Sequence, residues 1–175
     1  MTVDLSERVR RVRLLILDID GVLTDGRVVY GIYGDELKFF DVQDGLGIVL
    51  LKRAGIPTAI ITARKSRIVK TRARDLKINR VYQGYPSKLQ AFNKALKHFR
   101  VSPEEACFIG DDLIDIPVLK RVGFGVAVPN GMEEVKQAAC HITQKTGGRG
   151  AVREICDLLL KSQDKWDLAT SKYFE

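Results

Sequence analysis

The chain has 175 residues, of which 45% are hydrophobic and 29% charged, enough to bury one substantial core and ordinary for a soluble globular protein. No apolar run approaches the roughly 20 residues that span a bilayer, and residues 1–13 lack the apolar stretch of a signal peptide, so a cytoplasmic protein without a membrane partner is expected. The formal net charge of +7 admits nucleic acid or a small anionic substrate as partner.

The lysines and arginines are scattered among acids and are dense only over residues 65–74, which read as a solvated helix face or an anion-attracting rim. Cys107, Cys140 and Cys156 are widely spaced and odd in number. They lack a CxxC metal or redox spacing and read as reduced packing thiols.

After the polar start, the apolar run 14–17 reads as a strand. Residues 27–30 and 37–40 are β-rich and read as a hairpin, with Gly31 and Gly34 supplying the turn over 31–36. A helix over 45–54 stops at Gly55, and a strand over 58–61 follows it. Next come a helix over 66–76, a short strand over 80–82 and a helix over 88–99. Ser102-Pro103-Glu104-Glu105 reads as a capped turn feeding a strand over 106–109.

A helix over 114–122 ends at Gly123, followed by a strand over 125–128, a helix over 133–138 and a short strand over 141–143. The chain closes with a glycine-rich loop at Gly147-Gly148-Arg149-Gly150, a helix over 151–161 and a polar tail over 162–175, read as an arm or frayed end. Continuous apolar strands alternating with helices predict one α/β domain over 1–175, a parallel sheet flanked by helices.

The strongest chemical signal is Asp18-Ile19-Asp20-Gly21, directly after the first apolar strand. Ligands collect beyond the carboxyl ends of strands in an open α/β sheet. Two acids at such a place need a cation or partner, and Mg²⁺ prefers oxygen ligands. A carboxylate can attack phosphorus, splitting a displacement into two easier steps, while a second acid moves protons. A capped turn or structural ion is the plainer alternative.

Gly110-Asp111-Asp112-Leu113-Ile114-Asp115 places three more carboxylates after another apolar strand. Asp111 reads as a metal ligand, with Asp112 and Asp115 orienting the loop; an acidic helix start is the alternative. Thr62 ends the 58–61 strand, and its hydroxyl and the following N–H groups suit phosphate oxygens. Lys88 opens a helix, where its charge opposes the helix dipole unless an anion lies near. Gly147-Gly148-Arg149-Gly150 permits close backbone approach to an anion or forms an ordinary flexible turn.

The ordered set Asp18-x-Asp20, Thr62, Lys88 and Gly110-Asp111-Asp112-x-x-Asp115 resembles the haloacid dehalogenase superfamily of phosphatases. The resemblance implies a Rossmann-like core and a Mg²⁺ ion held by the Asp18 carboxylate, the Asp20 backbone carbonyl and Asp111. It further implies Asp18 as nucleophile, Asp20 as general acid and base, and Thr62 and Lys88 on the phosphoryl group. Thr62 lies only 44 positions after Asp18, and Lys88 lies 26 after Thr62. Neither gap holds the roughly 50 residues of a folded cap domain, so the chain resembles the capless branch.

Within that branch, residues 14–160 are similar to the 3-deoxy-D-manno-octulosonate 8-phosphate phosphatase family of lipopolysaccharide biosynthesis, carried by DIDGVLTDGRVVY, GDELKFFDVQDGLGI, ITARKS, GDDLIDIPVLKRVGFGVAVPNG and TGGRGAVREICDLLL. This resemblance implies a small sugar phosphate as substrate and no nucleic acid. It also implies a homotetramer whose hairpins build a shared barrel, with a neighbour's C-terminal segment closing each site. Ala63, Arg64, Arg72 and Arg149 become candidates for binding the substrate's phosphate or carboxylate. The chain departs from the family's usual pattern at Ala63, where glycine is the rule, and at Val128-Pro129-Asn130-Gly131, where small residues and an aspartate are usual. A related nonulosonate 9-phosphate as substrate stays open, as does a phosphoacceptor signalling domain, which also gathers aspartates, a threonine and a lysine on a parallel sheet. An idle module and a nucleic-acid binder are the remaining alternatives.

Overall fold

The sequence expectation of a doubly covered parallel sheet can be followed element by element in the computed structural model, which describes residues 4–33 and 36–175. Helix α1 (Leu5–Arg11) precedes β1 (Leu14–Leu17), and the ribbon strands β2 (Val29–Tyr30) and β3 (Glu36–Leu37) follow. Helix α2 (Val42–Arg53) leads to β4 (Thr58–Thr62), α3 (Arg67–Asp75), β5 (Arg80–Gln83) and α4 (Lys88–Phe99). The second half runs β6 (Ala106–Gly110), α5 (Ile116–Leu119), β7 (Phe124–Ala127), α6 (Glu133–Ala138), β8 (His141–Ile142), α7 (Ala151–Ser162) and α8 (Trp166–Thr170).

Six strands pair in parallel in the order β5-β4-β1-β6-β7-β8. The chain winds outward from β1 through β4 to β5, then crosses to β6 and winds the other way. The direction therefore reverses beside β1, which opens a crevice beyond the carboxyl ends of β1, β4 and β6.

Alternation along each strand feeds two cores. Leu15, Leu17, Ile60, Ile109 and Val126 pack on one face with residues of α2, α3 and α7. Leu14, Ile16, Ala59, Ile61 and Phe108 pack on the other with residues of α4, α5 and α6. Since both faces are covered, β1 reads as an unbroken apolar run whose four residues are all buried.

Several boundaries move. Helix α2 starts at Val42 rather than residue 45, because the Asp41 carboxylate caps it by accepting from the N–H groups of Gln43 (2.6 Å) and Asp44 (3.2 Å). The helix expected over 114–122 shrinks to four residues behind a 3₁₀ turn, Leu113–Asp115. Strand β7 starts one residue earlier than expected. Among the described residues the ribbon pairs Val29 with Leu37 and Tyr30 with Glu36, while Asp25 and Arg27 bond each other and Lys38 turns toward Asp20. Of the turn expected over 31–36, Gly34 and Asp35 lie outside the described residues.

The tail is not a frayed arm. Helix α8 packs against α2 and α7, burying Ala169 and Thr170, while Trp166 lies partly buried on the core. Trp166 and Ala169 share a helix face by their three-residue spacing. Arg53 donates to the Tyr173 hydroxyl at 3.0 Å, and Gln163 Nε2 donates to the Val12 carbonyl at 2.8 Å. Helix α1 was not legible as a helix, and it is held by Val9 in the core and by Arg8 donating to the Gly123 carbonyl. Cys107 and Cys156 are buried thiols as expected, whereas Cys140 is exposed.

Candidate active site

Strands β1, β4 and β6 end side by side, and each delivers one expected residue. Asp18 follows β1, Thr62 closes β4, and Asp111 follows β6. Asp18 and Thr62 are both buried. A cavity of about 140 Å³ opens over them, lined among others by Asp20, Ala63, Arg64, Lys88 and Asp112.

Lys88 Nζ lies 2.7 Å from Asp18 Oδ2 and 2.6 Å from Asp115 Oδ1. The buried lysine at the start of α4 thus has the anionic partners that its position demands. Burial opposes its charge, yet Asp18 and Asp115 together hold its pKa above the usual lysine value. Asp115 is fully buried and organises its loop, for its Oδ2 accepts from the N–H groups of Asp111 (3.0 Å) and Asp112 (3.1 Å). Asp112 caps the same 3₁₀ turn through the Leu113 N–H at 2.7 Å.

Asp18, Asp111 and Asp115 offer carboxylate oxygens that all lie within 4.8 Å of one another. Both Asp115 oxygens are already engaged. Asp111 Oδ1 is buried with no hydrogen-bond partner. Burial pushes the Asp111 carboxyl above the carboxylate range, and the Asp18 and Asp115 charges push it further. Burial likewise raises Asp18, against the lowering effect of Lys88. Crowded, desolvated carboxylates with an orphaned oxygen fit a hard divalent cation, whose charge reverses that repulsion.

Asp20 lies outside this cluster. Its Oδ1 meets Lys38 Nζ at 2.5 Å, and Arg64 Nε lies 3.7 Å from its Oδ2. Lys38, whose side chain is only 1% exposed, also pairs with Glu36 at 3.1 Å. Arg64 reaches Glu36 and the Tyr30 hydroxyl, each at 3.1 Å. The ribbon therefore turns its polar side to the site and carries its apolar residues outward. Sequence reading passed over Lys38, although it lies between two apolar residues, Leu37 and Phe39, that are both exposed.

The other two arginines lie elsewhere. Arg72 Nη2 donates to the Asp41 carbonyl at 3.2 Å, and its guanidinium sits 5.5 Å from the Phe40 ring centroid. Arg149 lines a neighbouring cavity of about 400 Å³ with Asp25, Arg27, Phe39, Phe40, Asp41 and Gly148. The basic stretch contributes Lys65, Arg67 and Lys70 to a third cavity, of about 560 Å³, beside β5. That cavity is larger than the one over Asp18 but contains none of the acidic residues.

The glycine-rich loop approaches the backbone of the acidic loop. A Cβ on Gly147 would lie 1.7 Å from the Gly21 carbonyl oxygen, and Gly148 N–H donates to the Val22 carbonyl at 2.8 Å. Gly21 itself has φ +90°, and a Cβ there would lie 1.9 Å from Asp111 Oδ2. Only glycine combines that conformation with that approach. Asp44, also missed in the sequence, is buried on α2 and accepts from Gly150 N–H (3.3 Å) and Arg153 N–H (2.7 Å) at the start of α7. Burial lifts its pKa to about 6, against the lowering effect of those N–H groups.

Residues 78–155 match the family model for haloacid dehalogenase-like hydrolases. The 3-deoxy-D-manno-octulosonate 8-phosphate phosphatase of Escherichia coli is 46% identical over 169 residues, covering 97% of this chain and 90% of the relative. Its counterpart from Salmonella typhi is 47% identical over 162 residues, covering 93% and 86%. The Moraxella catarrhalis phosphatase, solved in complex with magnesium, phosphate and KDO, superposes with a TM-score of 0.93 at 42% identity, covering 97% of each chain. The Yersinia pestis phosphatase gives a TM-score of 0.91 at 45% identity, covering 93% of this chain and 88% of that one.

Proposed function

The chain belongs to the 3-deoxy-D-manno-octulosonate 8-phosphate phosphatase family of haloacid dehalogenase-like hydrolases, and from that membership and its site we propose that it hydrolyses this sugar phosphate to the free octulosonate and phosphate. The observation that carries the reading is the meeting of Asp18, Thr62 and Lys88 in one small cavity, with an orphaned Asp111 oxygen beside it.

In this reading the Asp18 carboxylate attacks phosphorus, and the bond from phosphorus to the sugar O8 breaks. Asp20 delivers a proton to O8, so the sugar leaves as an alcohol. Asp20 then takes a proton from water as that water attacks phosphorus. The Asp18–phosphorus bond breaks and inorganic phosphate departs. Thr62, the Ala63 N–H and Lys88 hold the phosphoryl oxygens, and Lys38 and Arg64 hold Asp20 in place. Asp18, the Asp20 carbonyl and Asp111 would hold Mg²⁺, which supplies charge neutralisation for the phosphoryl oxygens. Asp112 and Asp115 keep the Asp111 loop in register.

Arg64 and Arg149 are assigned to the substrate's anionic groups, for which the planar guanidinium fork is suited; Arg72, whose guanidinium is held by the Asp41 carbonyl and the Phe40 ring, is the least available of the three. We further assign the chain to lipopolysaccharide biosynthesis and to the cytoplasm; among the described residues no helix is long and apolar enough to cross a membrane. The single domain works as a homo-oligomer, a tetramer joined through its ribbons. Tyr30, Ile32, Tyr33 and Phe39 support this assembly, being 66%, 92%, 91% and 69% exposed on one small element. Closing of the open site falls to a neighbouring subunit.

The test is phosphate release with Mg²⁺ from octulosonate 8-phosphate and from a nonulosonate 9-phosphate. A higher kcat/KM for the eight-carbon substrate is expected. A preference for the nine-carbon substrate would reassign the substrate, and a stable stoichiometric phosphoprotein would point to a signalling domain.

A further inference from the structure

The turn after β7 touches three of the loops around the site. Asn130 Nδ2 donates to the Gly21 carbonyl at 2.8 Å, and Asn130 Oδ1 accepts from the Gly147 N–H at 2.7 Å. Two residues on, Met132 N–H donates to the Asp111 carbonyl at 2.8 Å. The turn is closed on itself by Gly131 N–H donating to the Val128 carbonyl at 2.9 Å. One short segment therefore grips the loop after β1, the loop after β6 and the glycine-rich loop.

Only a primary amide supplies both a donor and an acceptor in the planar arrangement used here. Aspartate in its ionised form keeps the acceptor and loses the donor. The grip matters because there is no slack around it. The Gly21 peptide lies between Gly147 and Asp111, close enough that a Cβ on either glycine would overlap its neighbour. Releasing the Gly21 carbonyl lets the loop bearing Asp18 and Asp20 shift against Asp111.

We propose that Asn130 is a positioning residue, whose amide sets the spacing between the loop of Asp18 and Asp20 and the loop of Asp111. The assignment rests on the phosphatase reading above and extends it to a residue outside the reacting groups. A displacement of about 1 Å in reacting groups lowers rates by about 10²-fold, and that is the size of effect expected.

Asn130→Asp and Asn130→Ala separate the two halves of the amide. Both are expected to lower kcat on the sugar phosphate by about 10²-fold, with KM within about twofold of wild type and little change in melting temperature. Amide hydrogen exchange should accelerate at Val22, Leu23 and Thr24 in both variants, while the rest of the sheet keeps its protection. Wild-type kcat in Asn130→Asp would overturn the proposal, because that variant keeps the acceptor for Gly147 and turns an oxygen, in place of the donor, toward the Gly21 carbonyl. Unchanged exchange at those three amides would overturn it equally. If wild-type protein released no phosphate, the phosphatase reading would fall, and the exchange measurement would still decide whether Asn130 holds the loop.

Discussion

Lys88→Met removes the cation that two buried carboxylates share while keeping most of the side chain's volume. Asp18 and Asp115, 2.7 Å and 2.6 Å from the ammonium, would lose the buried cation that they share. Removing one partner of such a group costs about 3–5 kcal/mol. At about 2–4 °C per kcal/mol for a chain of this size, the melting temperature should fall by roughly 6–20 °C near neutral pH.

The loss should depend on pH with a definite sign. Asp18 already titrates above the carboxylate range because burial outweighs Lys88, and without the lysine it rises further. A carboxyl whose folded pKa is raised contributes stability below its unfolded value of about 3.9, and that contribution is lost as pH climbs through the folded value. The deficit of Lys88→Met relative to wild type should therefore stay constant near pH 5 and widen as pH climbs past about 7, where Asp18 of wild type ionises. Thermal unfolding by circular dichroism, in EDTA to keep divalent ions away, reads both effects. A variant melting within about 2 °C of wild type at pH 8, against the several kcal/mol expected, would refute the reasoning.

Gly21→Ala should abolish most activity and destabilise the fold by about 1–3 kcal/mol, the cost of a strained left-handed residue, and urea unfolding alongside phosphate release checks it. Asp44→Asn should flatten the pH dependence of stability. Burial holds Asp44 at about 6, so wild type loses up to roughly 3 kcal/mol as pH rises from 4 to above 6; parallel urea profiles for the two proteins would contradict this. Ile32→Asp combined with Tyr33→Asp places charges on the outward side of the ribbon and should dissociate the assembly, seen as a lower mass in sedimentation. An unchanged mass would take the ribbon out of the interface.

Much of the site was legible because acids rarely follow apolar strands without a chemical reason. Asp18 and Asp111 each stand directly after a strand buried on both faces, and Thr62 closes a third, so strand identification also located the site. Lys88 declared itself through its conflict with the helix dipole. Lys38 was not legible because its burial follows from the ribbon folding back on Asp20, and Asp44 and Asn130 were not legible because their partners are remote in sequence. Asn130 bonds a carbonyl 109 positions away, and Asp44 bonds an N–H 109 positions away. No local periodicity encodes such pairs. The tail was misjudged for a related reason: its polar composition hides two residues, Trp166 and Ala169, that meet the core only after α2 and α7 are packed. Helix starts shifted where one capping side chain, Asp41, outweighed the hydrophobic pattern.

The central claim is that Asp18 carries the phosphoryl group between the sugar and water. Acid quenching of the enzyme during turnover with Mg²⁺, followed by peptide mass mapping, tests this directly. Phosphate is predicted on the peptide containing Asp18, absent from the Asp18→Asn protein. Turnover with the phosphoryl group trapped on any other side chain would contradict the account.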